Sequence, residues 1–401
     1  MTTEAALTAL ATEAKGSSPQ LVWAVLLDGR IALHGGATTT VFRTASMTKS
    51  FTAATVLALR DRGELRLDDE IEVLADQRPT ADSPPVTIRD VLSMSSGLPT
   101  DDAWADRHLD MDPTELDRLV RSGVSYAHPT GTAYEYSNLG YALLGDLTGR
   151  TTDLLLAPLG LAHTTWTRPD QDERPGAFAG MGGLWSNLAD LATWVAFLDD
   201  GFPPRDDVDD GPLRRSTRRE MQQVHRGRIE GGGYGYGLQV RHDDRFGTVV
   251  DHSGGLPGYG SNMRWLPGRR VGVIALANST YAPMATLTRR MLEVLDDDGL
   301  VPTAVVPVSP ALQRAAEDLL ALLSAWDDAA ADRLFSDNVA LDEPYAERAA
   351  AAASLGSLHL ERVVATSATS GTAHAGGNRI EIQLSPIGGI EHYEVVSNVG
   401  S

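Results

Sequence analysis

The chain has 401 residues, 42% of them hydrophobic and 22% charged, with 39 Gly and 21 Pro, which fits folded globular domains and excludes a low-complexity tract. A formal net charge of −20 repels phosphate backbones and anionic lipid, so neither a nucleic acid nor a membrane surface is expected as a partner. With no cysteine, disulfides, thiolate metal sites, iron–sulfur clusters and a cysteine nucleophile are all excluded.

The first twenty residues carry Glu4 and Glu13, reach a basic residue only at Lys15, and contain no apolar run of the signal-peptide kind. No segment approaches the ~20 apolar residues that span a bilayer. A cytoplasmic protein is the expectation. Residues 22–28 and 31–34 flank Gly29 and Arg30 as two strands around a tight turn. A strong helical run follows over 47–62, closed by Gly63, and short helices are expected at 88–92 and 140–147. Over 185–198, Asn187 is a candidate N-cap, and Leu188, Leu191, Ala192, Val195 and Leu198 recur at helical spacing. Arg214, Arg215, Arg218 and Arg219 follow Asp206, Asp207, Asp209 and Asp210, a pattern that reads as mutually balancing charges on a solvated face.

Residues 236–241, 248–252, 262–266 and 271–277 read as successive antiparallel strands separated by Gly and Pro turns, and 287–295 as an amphipathic helix packed on them. Strands at both ends of 20–297, with helices between, imply one sheet assembled from the two ends of this stretch plus a helical region. A proline-rich linker spans 301–310. Beyond it a helix at 311–326 and strands at 358–366, 379–384 and 392–396 suggest a small α+β domain. The expected domains are therefore 1–300 and 311–401. No internal repeat is evident.

Several catalytic signatures are missing. There is no G-x-S-x-G, no H-E-x-x-H, no pair of histidines at metal-ligand spacing, and no glycine-rich nucleotide loop ahead of a helix. No metal and no cofactor is expected. What remains is Ser46-Met47-Thr48-Lys49 at the start of the strongest helix. Residues three apart share a helix face, so the Lys49 amine can lie beside the Ser46 hydroxyl where the helix N-terminus directs free N–H groups. A hydroxyl becomes nucleophilic when a base adjoins it, and a lysine can be that base. The same four residues would equally suit a capping serine and a surface lysine.

Two more segments weigh against that plainer reading. Tyr134-Glu135-Tyr136-Ser137-Asn138 contains Y-x-N, and Asp251-His252-Ser253-Gly254-Gly255 contains H-x-G-G. Together with Ser46 and Lys49, and with the segments 87–98, 182–186 and 234–238 in the same order, the chain resembles the serine beta-lactamase and penicillin-recognising hydrolase superfamily over about residues 15–297. Its class C beta-lactamase, D-aminopeptidase and beta-lactamase-like esterase branches are the nearest in pattern. The resemblance implies an α/β (α+β) fold, an antiparallel sheet flanked by helices with a helical lobe and the site in the cleft between.

It also implies roles. Ser46 would be the acylated nucleophile, Lys49 its base partner and Tyr136 the proton shuttle to the leaving group. Tyr134 competes for the last role, but only Tyr136 has an asparagine two residues on. Free lysine and tyrosine titrate near ~10, so the pair needs a depressed pKa to work at neutral pH. Asn138 would bond the substrate and orient Lys49. His252-Ser253-Gly254 stands where beta-lactamases have K-T-G, with Gly254 and Gly255 lining the site and the Gly255 N–H completing an oxyanion hole with Ser46. A histidine there grips a penicillin carboxylate less firmly than a lysine, which points away from beta-lactamase activity and toward esterases and aminopeptidases.

Two further expectations concern the walls of the site. The short stretch after Gly145 suggests a low wall, and Trp104, Trp166 and Trp185 either line a bulky pocket or fill the core. The expected function is acyl transfer from a small-molecule ester or amide through a Ser46 acyl-enzyme, of esterase, D-amino-acid amidase or peptidase type. An amide-forming transacylase with an amine acceptor, and a non-catalytic ligand sensor on the same fold, are the alternatives. Oligomeric state is open at this level.

Overall fold

A strand buried on both faces needs apolar residues at every position, not at alternate ones. Two segments meet that condition: Leu21–Leu27 (β1) and Val271–Ala277 (β10). They pair antiparallel with Leu21 opposite Ala277 and Leu27 opposite Val271. In this computed structural model, which describes all residues except 1, 17, 169–175, 206, 229–231, 304, 305, 307, 368, 386–388 and 398–401, they lie within an antiparallel sheet. Its other strands are Arg30–Gly35 (β2), Arg226–Arg228 (β5), Gly232–Tyr234 (β6), Gln239–Asp243 (β7), Gly247–Leu256 (β8) and Tyr259–Leu266 (β9). The order is β2-β1-β10-β9-β8-β7-β6-β5, so the N-terminal hairpin closes onto the last strand, as the sequence pattern implied.

One face of the sheet packs Trp23, Val25, Val273 and Ala275 against the helices Thr3–Lys15 (α1) and Met284–Asp297. The other face packs Ala24, Leu26, Ile274 and Leu276 against the helical region. At the centre of that region is Thr48–Asp61 (α2), buried from Thr48 through Leu59. Its polar residues are satisfied as buried groups must be: Thr52 Oγ1 donates to the Gly180 carbonyl at 2.7 Å, and Trp194 Nε1 donates to Ser50 Oγ at 3.1 Å. Phe51 and Trp194 stack with ring centroids 4.1 Å apart.

The helix Ile88–Leu92 (α3) starts at a capping box, Thr87 accepting from the Asp90 N–H and Asp90 from that of Thr87. The helix Leu188–Asp199 is capped by Asn187, and begins three residues later than its sequence pattern suggested. The difference has a structural cause: Trp185–Ser186 (β4) is drawn into a two-stranded ribbon with Phe42–Arg43 (β3). The arginine run is likewise less exposed than expected. Arg218, its side chain 3% exposed, meets Asp200 and Asp209 at 3.3 Å, and Arg215 meets Asp207 at 3.0 Å. Asp206 lies outside the described residues.

The chain divides into two compact units, Met1–Thr303 and Ala304–Ser401. Of the proline-rich stretch at 301–310, residues 304, 305 and 307 lie outside the described set. The second unit packs the helix Pro310–Ser324 on a four-stranded antiparallel sheet of Leu360–Ala365 (β11), Ser370–Ala375 (β12), Asn378–Leu384 (β13) and Ile390–Ser397 (β14). Leu312, Leu319, Ile380 and Ile390 form part of its core.

Backbone approach fixes the relation of β8 to the turn before α2. A Cβ on Gly254 would lie 2.3 Å from the Thr44 carbonyl oxygen and 2.9 Å from Ala45 Cβ. Gly254→Ala is expected to destabilise the protein by about 1–3 kcal/mol, the usual cost of overpacking, measured by urea unfolding against the parent chain.

Candidate active site

Ser46 sits in a single 3₁₀ turn, Ala45–Met47, one step ahead of α2 rather than at its cap. Ala45 holds φ at 49°, a left-handed conformation that costs a side-chain-bearing residue about 1–3 kcal/mol and is sustained by surrounding packing. That packing comes from β8 on one side and from Thr44 on the other. The Thr44 N–H donates to the Leu184 carbonyl at 2.9 Å, and Ser261 Oγ donates to the Thr44 carbonyl at 2.7 Å. Ser46 is thereby presented, partly exposed, at the floor of a cleft of about 450 Å³.

Lys49 is fully buried one turn on. Its Nζ lies 3.1 Å from Ser46 Oγ, 2.7 Å from Asn138 Oδ1 and 2.9 Å from the Met181 carbonyl oxygen. The geometry suits both protonation states. An ammonium donates to all three oxygens. A neutral amine donates to Asn138 and Met181 and turns its lone pair to the Ser46 hydroxyl. The Tyr136 ring lies beside it, its centroid 4.9 Å from Nζ.

Asn138 opens the helix Asn138–Leu143, whose first N–H groups need acceptors. The Asp101 carboxylate accepts from the Asn138 and Leu139 N–H groups, both at 2.8 Å, and Ser137 Oγ accepts from the Gly140 N–H at 3.4 Å. Thr100 donates to Glu135 from its N–H at 3.1 Å and its hydroxyl at 2.5 Å, tying the Tyr136 loop to the same segment. These bonds hold the Glu135 carboxyl below the usual carboxylate range, Thr100 contributing most, so it is ionised at neutral pH.

β8 is flanked by β7 only as far as Asp251, which pairs with Gln239, whereas β9 accompanies it to Leu256. From His252 onward one edge of the strand is open, and Ser253 and Gly255 line the cleft there. Gly254 does not share that role. It is buried and allows the Ser46 turn to approach.

His252 borders the cleft but has its ring nitrogens engaged internally. Nδ1 meets the carbonyl of Ser253 at 2.7 Å, and Nε2 meets the Tyr234 hydroxyl at 2.9 Å. A carbonyl only accepts, so Nδ1 carries the proton and Tyr234 donates to Nε2. Burial, reinforced by the Lys49 charge, pushes the ring down to about 3, so it is neutral at pH 7.

Four contributors escaped sequence reading: Asp101, the Met181 carbonyl, Tyr234 and Tyr281. A Cβ on Gly255 would lie 2.7 Å from the Tyr281 ring, and the Tyr281 hydroxyl donates to Asp106 at 2.7 Å across the cleft. Only Tyr234 carried a sequence signal, lying in the Tyr-Gly-Tyr-Gly segment noted above. Of the three tryptophans, Trp104 packs edge-on against Phe178, while Trp166 and Trp185 line a second cavity. Among the described residues no group of three or more His, Cys, Asp or Glu could hold a metal ion, and no helix is long and apolar enough to cross a membrane.

The model of the beta-lactamase family matches residues 5–296. The chain belongs to the beta-lactamase family. The family is one of serine hydrolases. Among curated relatives, protein flp of Staphylococcus aureus strain MW2 is 25% identical, covering 67% of this chain and 62% of that protein. Penicillin-binding protein 4* of Bacillus subtilis is also 25% identical, covering 60% of this chain and 61% of that one. The chain thus spans about three fifths of the length of these relatives. Among solved structures, the octameric penicillin-binding protein homologue from Pyrococcus abyssi superposes with a TM-score of 0.62 at 19% identity, covering 98% of this chain and 89% of that one. A D-stereospecific amidohydrolase from Streptomyces sp. gives 0.56 at 22%, covering 71% and 97%. The fold is the mixed helix and antiparallel-sheet fold of this group.

A histidine whose folded pKa lies near 3 takes up its proton in the unfolded chain near 6.5. Its contribution to stability is therefore complete above pH 6.5 and is lost as pH falls toward 3, at up to ~1.4 kcal/mol per pH unit. His252→Gln is expected to show a flatter fall in stability over that window, read from urea unfolding of both proteins at a series of pH values.

Proposed function

We propose that this chain is a serine amidase or esterase that forms an acyl-enzyme on Ser46, acting on substrates of the D-aminoacyl type. The observation that carries the reading is the contact of Ser46 Oγ with Lys49 Nζ at 3.1 Å, with Asn138 and the Tyr136 ring against the same nitrogen. Neutral Lys49 draws the proton from Ser46 as Oγ bonds to the substrate carbonyl carbon. The oxyanion forms against the N–H groups of Ser46 and Gly255. Collapse of this intermediate breaks the bond to the leaving amine or alkoxide, which receives the proton from the Lys49–Tyr136 pair. Water then adds to the acyl carbon, gives up a proton to the same pair, and Ser46 leaves with a proton restored to Oγ.

The class of substrate follows from charge. Glu135 and Asp106 line the cleft, His252 is neutral, and among the described lining residues there is no arginine or lysine, the Lys49 nitrogen lying buried behind Ser46. Such a cleft favours an ammonium group over the carboxylate of a penicillin. The likeness to a D-stereospecific amidohydrolase agrees with this choice.

Ser46→Ala is expected to lower turnover by several orders of magnitude while preserving the fold, and retention of substantial activity rejects the mechanism. Lys49→Ala and Tyr136→Phe should each slow acylation, with the double variant scarcely worse than the poorer single one, because both serve one proton path. Fully multiplicative losses in stopped-flow acylation kinetics would reject the shared path. D-Alanine p-nitroanilide should be cleaved with a kcat/KM at least tenfold above that of its N-acetylated form and above that for nitrocefin. Equal values for the free and acetylated amines would remove the ammonium from the reading.

A further inference from the structure

A second cavity of about 370 Å³ adjoins the cleft, and Asp106 lines both. Its position follows from the β3–β4 ribbon. Arg43 and Trp185 are paired across that ribbon, so they share a face, and the Arg43 guanidinium lies 5.2 Å from the Trp185 ring centroid. Arg168 lies over the same ring at 5.6 Å, and Tyr259 meets it edge-on at 5.4 Å. Arg43 is three residues before Ser46, so their Cα atoms are within about 11 Å, the reach of three peptide units.

Charge and polarity distinguish this cavity from the cleft. Arg43, Arg107 and Arg168 line it against the two carboxylates Asp106 and Asp110, in a protein whose formal net charge is −20. Asp106 already accepts from Tyr281. Among the described residues neither Arg107 nor Arg168 has a carboxylate within ion-pair distance, unlike Arg215 or Arg218 in their networks. The Trp166 indole N–H is buried with no acceptor among the described residues. A buried donor without a partner costs about 1–3 kcal/mol, and an acceptor atom of a ligand would satisfy it. Flat rings, the Arg107 and Arg168 guanidiniums, which meet no carboxylate among the described residues, and a buried N–H with no described acceptor suit a planar group bearing a carboxylate.

We propose that this cavity is an acyl-group subsite that takes a planar, anionic moiety, such as an aromatic carboxylate. The inference rests on Ser46 being the acylated residue. Tyr136, which serves the leaving group in that reading, lines the cleft but not this cavity, so the cavity is left to a substituent of the acyl portion while the reacting carbonyl and any ammonium beside it stay in the cleft.

The test pairs kinetics with binding. p-Nitrophenyl benzoate and its 4-carboxybenzoate analogue differ only by a carboxylate on the acyl ring. The protein should prefer the carboxylated ester at least tenfold in kcat/KM, and the double variant Arg107→Gln/Arg168→Gln should bring that ratio close to one. A ratio near one in the parent, or a preference that survives the double variant, overturns the subsite. Failure to turn over either ester, or p-nitrophenyl acetate, instead counts against the acyl-enzyme reading. Calorimetry with the Ser46→Ala protein then decides the subsite on its own. Terephthalate should bind at least tenfold more tightly than the neutral terephthalamide, and the two Arg→Gln changes should remove the difference. Equal binding of the two compounds, or binding of neither, overturns the proposal.

Discussion

Burying a lysine nitrogen is costly unless oxygens surround it, and the three described at Lys49 come from three separate parts of the chain. Ser46 belongs to the turn before α2, Asn138 to a short helix some ninety positions later, and Met181 to the turn ahead of β4. Each is anchored independently. Asp101 fixes the Asn138 helix, Thr52 holds the Gly180 carbonyl beside Met181, and Ser261 holds Thr44. The lysine is thus a node through which the sheet, the central helix and the helical region set one another's positions. Displacing the Asn138 or Met181 segment takes an acceptor from a buried N–H, which is why the arrangement is specific.

Backbone geometry carries the rest of the constraint. The left-handed Ala45 turns the chain so that Ser46 faces the cleft. Two glycines let neighbouring strands come close enough to hold that turn. Gly254 admits the Thr44 carbonyl, and Gly237, at φ 71°, brings the turn after β6 to the Lys49 carbonyl, where a Cβ would be 2.5 Å away. Strain at one residue is therefore supported by close approach at two others, and a side chain at either glycine would act on the nucleophile without touching it.

Strong periodicity made much of this legible. The apolar runs of β1 and β10, the short helix at 88–92, the capping residue Asn187, and the strand pattern after residue 236 follow from local chemistry alone. Ser46, Lys49, Tyr136, Asn138 and His252 were singled out from motif order, and the chain brings them together around one cleft. What stayed hidden depends on tertiary partners. Helix α1 buries only Leu7 and Ala11, too sparse a stripe to stand out. Strand β12, Ser370–Ala375, includes Gly371, Ala373 and Ala375, residues of low strand propensity, and exists because β11 and β13 flank it. The Met181 contribution is a carbonyl, which any residue possesses. Asp101 and Tyr281 act from loops whose direction no periodicity encodes. Gly254 was assigned to the substrate side by its neighbours in the motif, but alternate strand residues face opposite ways, and it faces the protein.

The same alternation governs the electrostatics of the site. His252, turned inward, spends both ring nitrogens on Ser253 and Tyr234 and stays neutral beside Lys49. Had the ring been charged, it would have repelled the lysine and left the cleft balanced against Glu135 and Asp106. Kept neutral, it leaves the two carboxylates to set the sign of the cleft, while the arginines collect on the far side of Asp106. A polarity of charge therefore runs across the wall that the Asp106–Tyr281 hydrogen bond completes. A substrate with an ammonium near its reacting carbonyl and an anionic acyl substituent would match both halves, and reversing its orientation would place like charges together at each end.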